Sequence, residues 1–247
     1  MAATRCALIT GAEGGIGRVL CSRMRDAGYH VVATDLNHKD CECDSFVAGD
    51  LAEVCAREGA REAFVASIER EIGSAELSVL VNNAAVQLLN RAEDITLEEW
   101  RRTLEVNLIA PFLLAQALLP ALERAGGSIV NVASIHAELT KPGFICYATS
   151  KAALVGLTRS MAVDLGARVR VNAVVPAATS TPMVRAGFVG REESLEELGA
   201  MHPLGRIAEP DEVVLAVLFL ASSEASFVSG ACLHVDGGIG VRLHDPE

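Results

Sequence analysis

The stretch that decides the fold is TRCALITGAEGGIG, residues Thr4–Gly17. Its apolar run, Cys6–Thr10, has the length and composition of a buried strand. The glycines that follow let the backbone turn sharply and come close to a pyrophosphate, and a helix that begins near Ile16 would offer free N–H groups and the positive end of its dipole. The spacing Gly-x-x-x-Gly-x-Gly differs from the commonest fingerprint, so an ordinary glycine-rich connection is the alternative for this loop taken alone.

Short runs rich in Val, Ile and Leu alternate with helical patterns along the chain. Strands are predicted at Cys6–Thr10, His30–Asp35, Phe46–Asp50, Ser78–Asn82, Ser128–Ala133, Arg170–Val175 and Cys232–Val235. Helices are predicted near Ile16–Ala27, Val54–Ile72, Leu97–Glu123, Tyr147–Leu165 and Pro210–Leu220. This alternation predicts an α/β fold, a Rossmann-type doubly wound parallel sheet of about seven strands with helices on both faces. No repeat or linker divides the chain, so we expect residues 1–247 to form a single dinucleotide-binding and catalytic domain.

Two segments depart from the even alternation. The stretch Asp35–Asp50 is too short and polar to hold a full crossover helix. The stretch 177–205 is long, mixed in character and contains several glycines. Because long irregular segments of compact domains tend to be functional, we predict a substrate lid there.

Composition and charge exclude several classes of protein. With 247 residues, 51% of them hydrophobic, the chain can bury a sizeable core. Its formal net charge of -11 argues against non-specific binding to nucleic acid or anionic lipid. Seven irregularly spaced cysteines and a first strand close to Met1 are not typical of a secreted disulfide scaffold with a signal peptide, so we expect a cytoplasmic protein. The uncharged stretch Val106–Leu122 contains Asn107 and Pro111 and is too short to span a membrane.

Asp35 indicates which dinucleotide would bind. It ends the second predicted strand, eighteen residues after Gly17, where a carboxylate can accept hydrogen bonds from the adenosine ribose. The same carboxylate would repel a 2′-phosphate, and Leu36 and Asn37 offer no compensating arginine. The sequence therefore favours NAD over NADP, as a preference, because His38 and Lys39 lie nearby.

Four polar residues are candidates for chemistry. Tyr147 and Lys151 are four residues apart on a predicted helix and therefore on one face. A neighbouring ammonium would lower the pKa of the phenol from about 10 and make it a usable base. Ser134 follows the fifth strand, at the end where ligands bind in such sheets. Asn107 lies in an apolar helix, where either a functional role or a satisfied core amide explains it.

These segments together resemble the short-chain dehydrogenase/reductase family, in its compact single-domain, NAD-type branch. The matching segments follow the family's order over nearly the whole chain: Thr10–Gly17, Asp35, Asp50-Leu51, Asn82–Ala85, Asn107, Ser134, Tyr147 with Lys151, Pro176, Thr181-Pro182-Met183 and Val235-Asp236-Gly237-Gly238. Ala85 and Ala177 stand where the family usually has glycine, and each adds one methyl group beside the cofactor. The resemblance implies an NAD-dependent oxidoreductase that transfers a hydride between nicotinamide and a secondary alcohol or ketone.

The resemblance also implies roles for individual residues. Tyr147 would be the general acid/base, and Lys151 would lower its pKa and hydrogen-bond the nicotinamide ribose. Ser134 would hydrogen-bond the reacting oxygen, and Asn107 would hold a water that links Lys151 to solvent. The expected NAD contacts are Gly11, Glu13, Gly15, Ile16, Gly17, Asp35, Leu36, Asp50, Leu51, Asn83, Ala84, Ala85, Tyr147, Lys151, Pro176, Thr179 and Thr181. The expected substrate contacts are Gln87, Ser134, His136, Phe144, Tyr147 and Met183. A homotetramer or homodimer is expected by the same resemblance.

The substrate is left open between a hydroxy acid, a sugar and a polyol. Gln87 and His136 resemble the carboxylate-binding pair of 3-hydroxybutyrate dehydrogenases, but Phe144 stands where that site has a lysine. Two other functions compete. An NADPH-linked 3-oxoacyl reductase is disfavoured by Asp35, and a non-catalytic dinucleotide-binding regulator has no need of the complete set of candidate catalytic residues.

The polar loop His38–Asp44 contains one Cys-x-Cys pair, Cys41 and Cys43. A structural zinc site usually takes two well-spaced pairs of ligands. The sequence therefore predicts a solvated loop and no metal.

Overall fold

Seven strands in the part of the chain that the structure describes form one parallel sheet. Residues 4–190 and 192–243 are described by a computed structural model. The strands are β1 (Arg5–Thr10), β2 (His30–Asp35), β3 (Ser45–Ala48), β4 (Glu76–Asn82), β5 (Ser128–Val132), β6 (Arg170–Pro176) and β7 (Cys232–Val235), in the order β3-β2-β1-β4-β5-β6-β7. The predicted α/β fold with a Rossmann-type parallel sheet is confirmed.

Helices cover both faces of the sheet. They are α1 (Gly15–Asp26), α2 (Leu51–Ala56), α3 (Glu58–Ile72), α4 (Leu97–Leu104), α5 (Ala110–Arg124), α6 (Ile145–Leu165), α7 (Pro182–Ala186), α8 (Glu192–Met201) and α9 (Pro210–Ala221). Side chains of α1 and α9 share one buried core, whereas those of α3 and α5 share the other. Successive residues of β1 supply the two cores in turn, with Leu8 on one side and Ile9 on the other, because neighbouring side chains of a strand point to opposite faces.

The strand order places a crevice in the middle of the sheet. From β1 the chain continues to β2 and β3 on one side, and it then returns to β4 on the other side of β1. The connections after β1 and β4 therefore diverge at their carboxyl ends, and this switch point is where α/β sheets bind ligands. Gly11, Asp35 and Asn83 lie at or just after these strand ends.

Two predicted boundaries are wrong, and a third predicted segment is more regular than expected. The strand predicted at Phe46–Asp50 ends at Ala48, since the Asp50 side chain accepts a hydrogen bond from Ala52 N at 2.9 Å and caps α2. The helix predicted at Val54–Ile72 is two helices, because Arg57 has an extended backbone between them. The predicted lid, 177–205, is less irregular than its composition suggested, since it contains α7 and α8.

The helix predicted at Leu97–Glu123 is interrupted by a π-helical turn, Glu105–Ile109, between α4 and α5. The whole segment Leu97–Arg124 is long and apolar enough to cross a membrane by length and composition. In this structure its buried side chains, among them Leu114 and Leu118, belong to the core beneath the sheet. That is the position of a core helix, which passes the same test.

Candidate active site

A cleft of about 1140 Å³ opens at the carboxyl ends of the strands. The predicted cofactor contacts that line it are Gly11, Glu13, Gly15, Ile16, Asp35, Leu36, Asp50, Leu51, Asn83, Ala84, Ala85, Tyr147, Lys151, Pro176, Thr179 and Thr181. The predicted substrate contacts that line it are Gln87, Ser134, His136, Phe144, Tyr147 and Met183. Gly17 and Asn107 are not among the lining residues, and both lie behind the wall of the cleft.

The glycines of the turn after β1 let neighbouring segments approach more closely than a Cβ atom would allow. Gly11 has a φ of 65°, and a Cβ there would lie 2.6 Å from Ala84 Cα. A Cβ on Gly15 would lie 2.8 Å from Thr181 Cβ across the cleft. A Cβ on Gly17 would instead collide with the Gly11 carbonyl oxygen. Gly17 therefore serves the internal packing of the turn, and its predicted contact with the cofactor stays a prediction.

Thr10 ties this turn to the end of β4, a role that the sequence did not reveal. Its Oγ1 accepts hydrogen bonds from Asn83 N and Ala84 N, both at 3.0 Å. The Asn83 side chain donates in return to the carbonyl oxygens of Thr10 and Gly11 at 3.0 and 2.9 Å. The two strand ends that border the crevice are therefore fixed relative to each other.

One end of the cleft holds a carboxylate in a fixed position. Asp35 Oδ2 accepts a hydrogen bond from Glu13 N at 2.9 Å, and Asp35 Oδ1 accepts one from Leu36 N at 2.7 Å. These bonds hold the carboxylate at the end of β2, in the wall of the cleft. Asp50, farther along the same wall, pairs with Arg102 at 3.2 Å.

Glu13 lines the cleft, but its carboxylate faces the β2–β3 loop. It accepts hydrogen bonds from Lys39 N, Asp40 N and Cys41 N at 2.6 to 3.1 Å and pairs with Arg18 at 3.2 Å. The three backbone donors hold the pKa of Glu13 down at about 2 against the effect of burial. Its side chain is therefore bound within the protein, and its predicted contact with the cofactor stays a prediction.

The Tyr147 hydroxyl, Ser134 and Lys151 meet in the centre of the cleft. The Ser134 hydroxyl accepts a hydrogen bond from His136 N at 3.2 Å and is close enough to the Tyr147 phenol to act on its pKa. Lys151 Nζ lies 5.7 Å from the centroid of the Tyr147 ring and donates to the Val132 carbonyl oxygen at 2.7 Å. All three side chains are buried. A phenol, a hydroxyl and an amine are thus brought together in the lining of the cleft.

Burial dominates the titration of this group. It raises the pKa of Tyr147, and the hydrogen bond from Ser134 opposes that rise. It lowers the pKa of Lys151 from 10.5 to about 7, because an ammonium loses its hydration there. The expectation that Lys151 lowers the pKa of Tyr147 stays a prediction, because the shifts of the two groups in this structure are caused by burial and, for Tyr147, by Ser134.

Asn107 lies in the π-helical turn and hydrogen-bonds two segments next to the cleft. Its Oδ1 accepts a hydrogen bond from Val86 N at 2.8 Å. Its Nδ2 donates to the Val86 carbonyl oxygen at 2.9 Å and to Ser150 Oγ at 3.0 Å. The side chain thus joins the segment after β4 to α6, and its implied role as a water holder stays a prediction.

Aromatic rings form the wall beside the Tyr147 hydroxyl. His136 stacks on Phe144 with ring centroids 4.2 Å apart, and its edge meets the Tyr147 ring at 5.9 Å. Burial, and to a smaller extent the Lys141 ammonium, lowers the pKa of His136 to about 4. The imidazole is therefore neutral at physiological pH and offers hydrogen bonds without a charge.

A family model described as enoyl-(acyl carrier protein) reductase matches residues 11–240 of the chain. A relative with similar length is the D-threitol dehydrogenase of Mycolicibacterium smegmatis, which is 34% identical over 252 residues, covering 96% of this chain and 94% of that protein. The trans-4-hydroxycyclohexanecarboxylate dehydrogenase of Sinomonas cyclohexanicum is 37% identical over 251 residues, with 96% and 93% covered.

A similar solved structure is the ligand-free aldohexose dehydrogenase of Thermoplasma acidophilum. Its TM-score is 0.92 at 35% identity, and the match covers 99% of this chain and 97% of the other. The similarity thus extends over the sheet, the helices and the segment after β6.

Proposed function

The chain belongs to the short-chain dehydrogenase/reductase family, an assignment carried by these matches, and from that premise we propose that it is an NAD-dependent dehydrogenase of a small polyol or sugar. Oxidoreduction at a CH–OH group is the chemistry of its named relatives. The observation that carries the proposal is the meeting of Tyr147, Ser134 and Lys151 in a cleft whose far end holds the Asp35 carboxylate.

The proposed reaction assigns a step to each of these side chains. A bound nicotinamide dinucleotide supplies the acceptor or donor of the hydride. During oxidation, Tyr147 Oη takes the proton of the substrate alcohol, and during reduction it returns a proton to the ketone oxygen. Ser134 hydrogen-bonds the reacting oxygen and thereby fixes its distance from Tyr147 Oη. Lys151, behind the ring, stabilises the phenolate and holds the ribose nearest the reacting carbon.

NAD is proposed over NADP because of the charge at the end of β2. The Asp35 carboxylate is held in the cleft wall by two backbone N–H groups, and Leu36 beside it is half exposed. A ribose offers that carboxylate hydroxyl donors, whereas a 2′-phosphate meets like charge. Arg102, which also lines this part of the cleft, is paired with Asp50.

Replacing Asp35 with Ala and Leu36 with Arg should reverse the cofactor preference. Hydrogen bonds to charged groups contribute about 1.5–3 kcal/mol, so kcat/KM with NAD should fall by roughly 10- to 100-fold. The same change removes repulsion and adds an arginine, so kcat/KM with NADP should rise. Initial rates with both dinucleotides give the ratio. Asp35→Asn is the conservative comparison, since it removes the charge, keeps the size of the side chain and retains an acceptor oxygen for one of the two backbone bonds. Faster turnover of the unaltered protein with NADP would contradict the assignment.

A neutral, hydroxyl-bearing substrate suits the walls near Tyr147. His136 is neutral and stacked on Phe144, so it can hydrogen-bond a hydroxyl but brings no charge to a carboxylate. The named activities of the D-threitol and aldohexose dehydrogenases concern such compounds. A hydroxy acid is the second candidate, favoured by Lys141, which lines the cleft with Nζ 4.8 Å from the Phe144 ring. A screen of polyols, aldoses and hydroxy acids with NAD separates the two.

We also propose a homotetramer. The outer sides of two neighbouring helices expose apolar residues, Phe112 on α5 and Ile145 and Val163 on α6. Exposed apolar surface of this kind is typical of an interface. Light scattering at micromolar concentration should give a mass about four times the 26.0 kDa of the chain. A particle with the mass of one chain would refute the assembly, and Phe112→Glu should reduce the mass if these helices form the interface.

A further inference from the structure

The loop between β2 and β3 brings three soft ligand atoms together beside the cofactor cleft. His38 Nε2, Cys41 Sγ and Cys43 Sγ all lie within 4.8 Å of one another. The two sulfur atoms are 3.9 Å apart, and Cys43 Sγ is 4.0 Å from His38 Nε2. We propose that these three side chains bind a zinc ion, with a water molecule as the fourth ligand. This proposal reverses the prediction of a solvated loop without metal.

The distances fit a tetrahedral zinc ion. Zn–S bonds of about 2.3 Å and Zn–N bonds of about 2.0 Å place two thiolates about 3.8 Å apart and a thiolate and an imidazole about 3.5 Å apart. The 3.9 Å between the sulfur atoms and the 4.0 Å between Cys43 Sγ and His38 Nε2 need only small side-chain adjustments to reach these values. The remaining pair of ligand atoms, on Cys41 and His38, lies within 4.8 Å and has to close further, which the exposed His38 side chain allows. Thiolate and imidazole ligands favour zinc over the hard cations magnesium and calcium, which take oxygen ligands.

The ligands are held by contacts that do not depend on a metal. The His38 ring stacks on Phe46 at 4.6 Å with an interplanar angle of 14°, which fixes the direction of its nitrogen atoms. His38 Nε2 is 3.3 Å from the Cys41 carbonyl oxygen, a contact that zinc would replace. Cys41 is buried, Cys43 is half buried and His38 is exposed. The site is therefore open to solvent on the histidine side, where a metal ion can enter and a water can remain.

The backbone that carries the ligands is fixed to the glycine turn. The Glu13 carboxylate accepts the N–H groups of Lys39, Asp40 and Cys41, and Arg18 pairs with both Glu13 and Asp40. A zinc ion would further constrain the same loop, which follows directly after Asp35 and Leu36. Its role would be structural, to hold the wall next to the adenosine ribose in place.

The experiment measures zinc in the full-length protein and in four variants. Each protein is purified with a reductant, saturated with zinc and passed into metal-free buffer, and zinc per chain is determined by mass spectrometry of the metal. We expect one zinc per chain in the unaltered protein. Cys43→Ser and His38→Ala should each weaken zinc binding by more than about 10-fold, since even changes in groups behind the ligands cost that much. Cys232→Ser removes a half-buried thiol outside the cluster and should retain one zinc.

A cobalt readout keeps the test independent of turnover. Cobalt in place of zinc should give a thiolate-to-metal charge-transfer band, which Cys43→Ser weakens and Cys232→Ser leaves unchanged. Because Cys41 is buried, Cys41→Ser can lower stability, and circular dichroism of Cys43→Ser and His38→Ala verifies that the decisive variants are folded. The proposal is overturned if the unaltered protein retains no zinc, if the ligand variants bind as much as Cys232→Ser, or if Cys41 and Cys43 are found joined in a disulfide.

Discussion

Tyr147→Phe is expected to lower turnover by about 10²–10⁴-fold, the usual contribution of a positioned general acid/base. The substitution removes one oxygen atom and keeps the ring, so the contacts of Tyr147 with His136 and Phe144 survive. NAD affinity and thermal stability should therefore change little. Steady-state rates with an active alcohol, together with NAD titration by calorimetry, separate the loss of chemistry from a loss of binding.

The chain offers a matched control for this variant in its second tyrosine. Tyr29 is also buried, and its hydroxyl interacts with Arg5 at the opposite end of β1 from the cleft. Tyr29→Phe makes the same chemical change and should leave turnover nearly unaltered. Near-normal turnover of Tyr147→Phe would remove Tyr147 from the mechanism and favour another base.

Lys151→Met is expected to abolish most activity and, at the same time, to stabilise the fold. Turnover should fall at least about 100-fold, because the phenolate loses its neighbouring charge. NAD binding should weaken by about 10- to 100-fold through loss of a charged hydrogen bond to the ribose. Stability should increase near neutral pH, because burial opposes the charge of Lys151 and methionine carries none.

The stability of the fold should depend on pH, because the pKa of Lys151 differs between the folded and the unfolded chain. Burial lowers the pKa of Lys151 from 10.5 to about 7. Between these values the unfolded chain binds a proton that the folded chain does not, so stability should rise with pH through this window. Below about 7 the penalty for the buried charge is fully present, and above about 10.5 it is gone. In melting curves, Lys151→Met should show a smaller increase in stability with pH over this window than the unaltered protein. Lys39→Met, which changes an exposed lysine, should show the full increase. Equal pH profiles for Lys151→Met and the unaltered protein would contradict the burial argument.

The order of strands and helices could be predicted because it follows from local patterns. Continuous apolar runs such as Cys6–Thr10 mark buried parallel strands, and the glycine turn and Asp35 both line the cleft, as their positions at strand ends indicated. The boundaries that failed depend on contacts between distant residues. Asp50 ends its strand early because its side chain caps α2, and the π-helical turn forms where Asn107 reaches Val86 and Ser150.

The residues of the site could be identified from the sequence, but the burial and contacts of their side chains could not. Tyr147 and Lys151 share a helix face by spacing alone, whereas the burial that raises one pKa and lowers the other depends on the assembled core. Glu13 was expected to contact the cofactor, but its carboxylate binds three N–H groups of a loop whose path the sequence does not specify. The same unspecified path brings His38 to Cys41 and Cys43.

Transfer of a labelled hydride tests directly whether this protein oxidises a secondary alcohol with NAD. Secondary alcohols from the polyol and sugar screen, deuterated at the carbinol carbon, are incubated with NAD and the protein, and the reduced dinucleotide is analysed by mass spectrometry. We predict one deuterium in each NADH formed and one NADH for each ketone produced. The rate of NADH formation should fall by orders of magnitude with Tyr147→Phe. Reduced dinucleotide without deuterium, or transfer to NADP while NAD stays unreacted, would contradict the proposed function.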